Sequence, residues 1–183
     1  HKWADLSENG YGISLLNDCK YGYSTEDNVM SISLLKAANF PNPHADRGIN
    51  TFTYSLYPHA GAFGADTVRE GYYLNLPLLT YKADGNGSTS ALPGEFCLVS
   101  SDNNEFVVET IKKAEDQNGM IVRGYESLDG KCKVKLTFGF NVKKAWLCDL
   151  MENNLSEIAV ENNKEITLDA DNFEIVTLRV IPE

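Results

Sequence analysis

The residues best suited to chemistry lie at the start of the chain. Between His1 and Ser24, HKWADLSENGYGISLLNDCKYGYS sets Trp3, Tyr11, Tyr21, Tyr23, Asp5, Asp18 and Lys20 around a short apolar run. Aromatic rings offer a flat apolar face with a polar edge, so Trp3 and the three tyrosines could stack on pyranose rings. Asp18 and Lys20 could hydrogen-bond to sugar hydroxyls. The same residues also fit a blander role, with the aromatics in a core and the charges at its rim. Tyr21 and Tyr23, two residues apart, share one side of a strand, which suits either reading.

Other reaction types find less support. The chain has no G-x-S-x-G, no H-E-x-x-H and no phosphate-binding loop. His1, His44 and His59 are far apart, so His44 with Asp46, or His59, could ligate a metal only through tertiary proximity. Glycoside hydrolysis needs two carboxylates held ~5–9 Å apart across a sugar. Acidic residues are plentiful, but sequence alone pairs none of them. Cys19, Cys97, Cys132 and Cys148 show neither C-x-x-C spacing nor a disulfide framework. Cys132 and Cys148 alternate with apolar neighbours and read as small buried hydrophobes; the set fits a reducing compartment. Asn86-Gly87-Ser88 and Asn154-Leu155-Ser156 match the glycosylation pattern at the frequency expected by chance. No self-contained active site emerges.

Composition narrows the partners. The 183 residues are 43% hydrophobic, as in a folded globular chain. A formal net charge of −10 disfavours nucleic acid and anionic membranes, which reward clustered Lys and Arg. No apolar run reaches the ~18 residues of a membrane span, and no signal peptide is visible.

The elements that must position these residues are mostly strands. Lys82 to Gly94, KADGNGSTSALPG, is nearly devoid of large apolar residues and marks a boundary. Beyond it, Phe96–Leu98, Phe106–Val108, Gly119–Glu126, Lys131–Phe140, Ala145–Leu150, Glu165–Asp169 and Glu174–Ile181 read as short strands. The clearest is Lys131–Phe140, where Cys132, Val134, Leu136, Phe138 and Phe140 alternate with Lys131, Lys133, Lys135 and Thr137. The Cys132–Phe138 row and Trp146 are expected to face one core. Asn118-Gly119 and Asp129-Gly130 supply turns. This spacing predicts a small antiparallel sandwich. Before the boundary, Gly12–Leu16, Val29–Leu35 and Asn50–Tyr57 read as strands, Pro41–Gly48 as a loop, and Asp66–Leu74 as a short helix ended by Pro77. Three strands do not close a sheet-on-sheet core, so this half reads as the end of a larger β-domain with sticky edges.

The opening block closely resembles the C-terminal half of glycoside hydrolase family 38 α-mannosidases, in their cytosolic, vacuolar and bacterial branch. Members there read roughly H-x-W-A-D-L-S-E and then G-Y-G-x-S-L-L-N-D-C-K-Y-G-Y. Similar blocks follow in order: SISLLKA at Ser31–Ala37, Ala45-Asp46-Arg47-Gly48, Phe52 and Tyr54 before Tyr57-Pro58-His59, and LNLPL at Leu74–Leu78. In the second half the similar stretches are Ile111–Glu115, Ile121–Glu126 and Asn172–Leu178. The resemblance implies an all-β chain: residues 1–85 as the end of a mutarotase-like β-supersandwich, and residues 90–183 as a small immunoglobulin-like antiparallel β-sandwich. It implies a non-catalytic C-terminal portion of a zinc-dependent retaining enzyme that removes terminal α-linked mannose. The nucleophile and zinc would sit in an N-terminal barrel, so no catalytic or metal residue is expected here and this portion alone should be inactive. The chain opens at a His inside the resembling block, which fits that expectation. Asp18, Lys20, Tyr21 and Tyr23 are the candidates for the substrate rim. The implied partners are the catalytic barrel and a mannose-containing glycan, with oligomerisation open and a cytoplasmic location. The competing reading is a free-standing carbohydrate-binding or adhesive β-module.

Overall fold

The architecture comes from a computed structural model, which describes residues 1–82 and 93–183. Most of the expected boundary segment therefore lies outside the described residues. The chain divides into two compact units, His1–Ala83 and Asp84–Glu183.

In the first unit, β1 (Trp3–Ser7) and β2 (Tyr11–Asn17) form an antiparallel hairpin, and β3 (Tyr23–Glu26) and β4 (Val29–Ile32) form another. β5 (Tyr54–Ala60) pairs with β2, giving the order β1-β2-β5. Helix α1 (Ala65–Asn75) packs on β2 and β1. Its glycine at position 71 is a steric requirement, because a Cβ there would come within 2.7 Å of the Trp3 ring. The expected strand Asn50–Tyr57 starts late, at Tyr54, and has a local cause. The Thr53 amide bonds to the Asp18 carboxylate at 3.0 Å, so a side chain replaces the backbone acceptor and the ladder ends. The expected Val29–Leu35 strand likewise stops at Ile32.

Strand register gives the sheet two unlike faces. Trp3, Asp5, Gly12, Ser14, Leu16, Tyr57 and His59 share the face that carries α1. Leu6, Tyr11, Ile13, Leu15, Tyr54 and Leu56 share the other. That second face is the apolar one, yet Tyr11, Tyr54 and Leu56 are 51%, 54% and 65% exposed. The β3–β4 hairpin arches over part of it, leaving an open cleft of about 550 Å³ lined by Leu6, Ile13, Met30 and Leu56.

The second unit is a two-sheet sandwich. Its strands are β6 (Val99–Ser101), β7 (Phe106–Lys113), β8 (Met120–Glu126), β9 (Cys132–Phe138), β10 (Val142–Cys148), β11 (Asn154–Ile158), β12 (Glu165–Ala170) and β13 (Ile175–Pro182). One sheet has the order β11-β10-β13-β8-β7, the other β12-β9-β6. The alternation in β9 buries Cys132, Val134, Leu136 and Phe138 against Ile166, Leu168, Val176, Leu178 and Val180, while Lys133 and Thr137 face solvent. Burying each large aliphatic or aromatic side chain contributes roughly 1.5–3 kcal/mol.

Two expectations fail in this unit. Phe96 and Leu98 precede the first strand and are partly exposed, and pairing begins at Val99. Trp146 does not share the core with the Cys132–Phe138 row. Its neighbours Ala145 and Leu147 face the core, and Trp146 lies on the outer face with Lys144 Nζ 5.9 Å from its ring centroid. In a strand that size and hydrophobicity do not set the phase; the pairing of Ala145 with Val180 does.

Two arginines anchor the loops over this outer face. Arg123 Nε donates to Thr177 Oγ1 at 3.0 Å and its Nη2 to the Leu150 carbonyl at 3.1 Å. Arg179, 4% exposed, donates to Asp116 and to the carbonyls of Asn118 and Glu152. Lys112 and the Glu115 amide complete the cluster by bonding to the Glu152 carboxylate. Arg179 holds Asp116 below the ordinary carboxylate range.

Candidate functional site

The four candidate residues lie on or beside the turn that leaves β2, and the structure separates them. Asp18 is tied back to the chain: its amide donates to the Thr53 carbonyl at 3.2 Å and its carboxylate accepts the Thr53 amide. The Thr53 amide and then the Cys19 thiol lower the Asp18 pKa by bonding to its carboxylate, and the bond to Asp18 raises the pKa of Cys19. Tyr23 points inward. Its hydroxyl meets Asn17 Nδ2 and lies 3.4 Å from the Leu15 carbonyl, and burial raises its pKa. Tyr21 projects instead, and Lys20 is half-buried. Lys20 Nζ sits 4.9 Å from the Phe52 ring centroid. Tyr21 is 60% exposed and tilted against His1, with centroids 6.0 Å apart. A flat ring and an ammonium group thus leave the same turn, the ring beside His1 and the ammonium over Phe52.

Asn17, which sequence reasoning passed over, holds this turn. It is fully buried. Its Oδ1 accepts the Lys20 amide at 2.6 Å, and its Nδ2 donates to the His1 carbonyl at 2.9 Å and to Tyr23. The Asn17 carbonyl in turn accepts Asn75 Nδ2 from the end of α1, at 2.9 Å. An Asx-type turn of this kind has a sequence signal, since N-D-C-K sets an Asn three residues before the amide it binds.

A second polar group lies between the sheet and α1. Asp5 Oδ2 accepts Ser14 Oγ at 2.6 Å and His59 Nε2 at 2.7 Å, and Ser14 Oγ meets Thr67 Oγ1 at 2.7 Å. Burial pushes the Asp5 carboxyl up, but bonds from Ser14, His59 and Ser7 outweigh it and hold the pKa below the ordinary value. With Asp5 ionised, the Ser14 hydroxyl donates to it, so Thr67 must donate to Ser14. The order is Thr67 to Ser14 to Asp5, with the His59 Nε2–H closing from the other side. Gly12 makes room: a Cβ there would overlap the His59 imidazole and the Ser7 Cβ. Both side chains of the His59–Asp5 pair are 8% exposed, and the group ties β1, β2, β5 and α1 together.

Metal chemistry finds no cradle in these residues. Among the described residues, no three His, Cys, Asp or Glu side chains converge to hold an ion. His59 is engaged by Asp5, and the zinc implied by the family resemblance does not fit here. No helix among the described residues is long and apolar enough to cross a membrane.

Comparison with known proteins bears on what this turn belongs to. The profile described as "Glycosyl hydrolases family 38 C-terminal domain" matches residues 1–44, which include the whole turn. The profile described as "Glycosyl hydrolases family 38 C-terminal beta sandwich domain" matches residues 105–178, most of the second unit. The chain belongs to the C-terminal region of glycosyl hydrolase family 38. Within the family, Alpha-mannosidase G of Dictyostelium discoideum is 39% identical over 187 residues, covering 99% of this chain and 17% of that protein. Human Alpha-mannosidase 2C1 is 34% identical, covering 99% of this chain and 18% of its own length. The crystal structure of an alpha-mannosidase from Enterococcus faecalis V583 superposes with a TM-score of 0.75 at 18% identity, over 98% of this chain and 20% of that one. At that identity the likeness shows the fold, an all-β antiparallel arrangement. The chain spans less than a fifth of the length of the curated relatives it matches.

Proposed function

We propose that this chain is the non-catalytic C-terminal part of a zinc-dependent, retaining α-mannosidase that removes terminal α-linked mannose from glycans. The observation that carries the reading is end-to-end similarity to α-mannosidases of which the chain spans only 17–18%. The nucleophile and the zinc ligands then belong to the larger remainder, a barrel against which these β-units pack. Lys20 and Tyr21 form part of the rim of the sugar site: the ring stacks on a pyranose face and the ammonium donates to its hydroxyls. Asp18 and Tyr23 shape that rim from behind. The open apolar face of the β1-β2-β5 sheet is covered by the rest of its β-domain, as burial of such a row requires. The parent enzyme is cytoplasmic, in keeping with four free cysteines.

Two assays test the reading. The 183-residue chain, given an aryl α-mannoside and zinc, is expected to show no turnover; chelator-sensitive turnover by the chain itself would overturn it. In the full-length protein, Tyr21→Ala and Lys20→Ala should each lower kcat/KM with the fold intact. Loss of a stacking contact or a rim hydrogen bond corresponds to about 1–3 kcal/mol, roughly tenfold to a hundredfold. Normal kinetics with a lowered Tm would assign both residues to the framework and remove the rim role.

A further inference from the structure

The geometry points to Asn17 and Asn75 as positioning residues that set the sugar-facing turn, and thereby link helix α1 to it; this rests on the rim role proposed for Lys20 and Tyr21. Four pieces of the chain converge on Asn17. The segment before β1 meets it through the His1 carbonyl and through the Lys2 carbonyl, which accepts the Asn17 amide at 3.0 Å. β3 meets it through the Tyr23 hydroxyl. The turn meets it through the Lys20 amide, and α1 through Asn75. Both amide protons and the oxygen of the side chain are used, and the residue is fully buried.

A buried amide with all its bonds made has one orientation, because rotating it by half a turn would aim donors at the Lys20 amide and an acceptor at a carbonyl. The Asn17 plane therefore fixes where the Lys20 amide sits, and with it the directions in which the Lys20 and Tyr21 side chains leave the turn. Asn75 adds a second constraint from outside. Its Nδ2 bridges the Gly71 carbonyl, one helical turn back, and the Asn17 carbonyl, at 2.8 and 2.9 Å. The last turn of α1 thus holds the backbone at the point where β2 becomes the turn. Neither asparagine projects from the surface as Tyr21 does, so both act through the turn and not on substrate.

The test is a double-mutant cycle in the full-length protein, read as kcat and KM on an aryl α-mannoside below the Tm of every variant. Asn17→Ala and Asn75→Ala should each lower kcat/KM by about three- to tenfold in the wild-type background. In a Lys20→Ala/Tyr21→Ala background the same changes should cost less than about twofold, because both contacts they position are already gone. If Asn17→Ala does not fold, Asn75→Ala carries the cycle, since it leaves every side-chain bond of Asn17 in place. Asparagine variants that lower Tm but keep wild-type kcat/KM, or whose effects multiply with the Lys20→Ala/Tyr21→Ala pair, overturn the positioning role while leaving the rim intact. Silent Tyr21→Ala and Lys20→Ala variants overturn the rim itself, and the positioning role falls with it.

Discussion

Replacing Ser14 by alanine should destabilise the first unit far more than loss of one hydroxyl suggests. Ser14 is fully buried and links Asp5 to Thr67. Its hydroxyl donates to Asp5 at 2.6 Å, and a bond to a charged group contributes about 1.5–3 kcal/mol. It also accepts from Thr67, 1% exposed, whose hydroxyl would be left buried without an acceptor at a cost of about 1–3 kcal/mol. The expected loss is about 3–5 kcal/mol. Thr67→Val has the same shape and removes only the outer, neutral donor, so it should cost about 1 kcal/mol. Made on the Ser14→Ala background, Thr67→Val removes the orphaned hydroxyl and should be close to neutral. The chain supplies its own probe. Trp3 lies in the first unit, stacked 6.4 Å from Phe63, and Trp146 lies in the second. In a Trp146→Phe background, urea unfolding followed by Trp3 fluorescence reads the first unit. Equal losses from Ser14→Ala and Thr67→Val, or simple additivity in the double variant, would refute the ordered chain from Thr67 to Asp5.

Two further outcomes test the second unit. Leu136, 1% exposed, should cost about 2–5 kcal/mol as Leu136→Ala, whereas Lys133→Ala on the opposite face of β9 should stay within about 0.5 kcal/mol; comparable losses in denaturant unfolding would mean the strand's phase is wrong. Glu126 is fully buried and accepts the Leu128 and Phe173 amides at 2.6 and 2.9 Å. Burial alone would raise its pKa, but the backbone bonds from Phe173, Leu128, Gly130 and Asp129 bring it below the ordinary value of 4.5. A carboxyl depressed in the folded state binds its proton more tightly when unfolded. Its stabilisation is therefore complete above that ordinary value and is lost as pH falls through the native pKa. Glu126→Gln should lower Tm at neutral pH and flatten its decline in acid; an unchanged acid limb would show that Glu126 does not drive it.

Much of the architecture was legible from local pattern. The alternation across Cys132–Phe138 fixed which side chains share a face of β9, and the helix expected over Asp66–Leu74 forms over Ala65–Asn75. The strand expected within Gly119–Glu126 runs over Met120–Glu126, next to the Asn118-Gly119 turn. Of the candidate turn, sequence supplied the residue types but not their directions. Tyr21 projects and Lys20 lies over Phe52, while Asp18 and Tyr23 are tied to Thr53 and Asn17.

A period of two says which residues share a face; it cannot say which face is covered. That is why the apolar row of Tyr54 and Leu56 lies open while the row with Ser14 and His59 lies under α1, and why Trp146 faces away from the core. Polar pairings are still less visible, because they depend on register between distant strands. Asp5 meets His59 across 54 positions, Arg179 meets Asp116 across 63, and Asn75 meets Asn17 across 58. The sequence by itself determined the apolar row of β9, the course of β8, β12 and β13, and the family. Only tertiary structure decided which buried polar groups meet, since a hydrogen bond needs its two partners within about 3 Å and no local pattern encodes that distance.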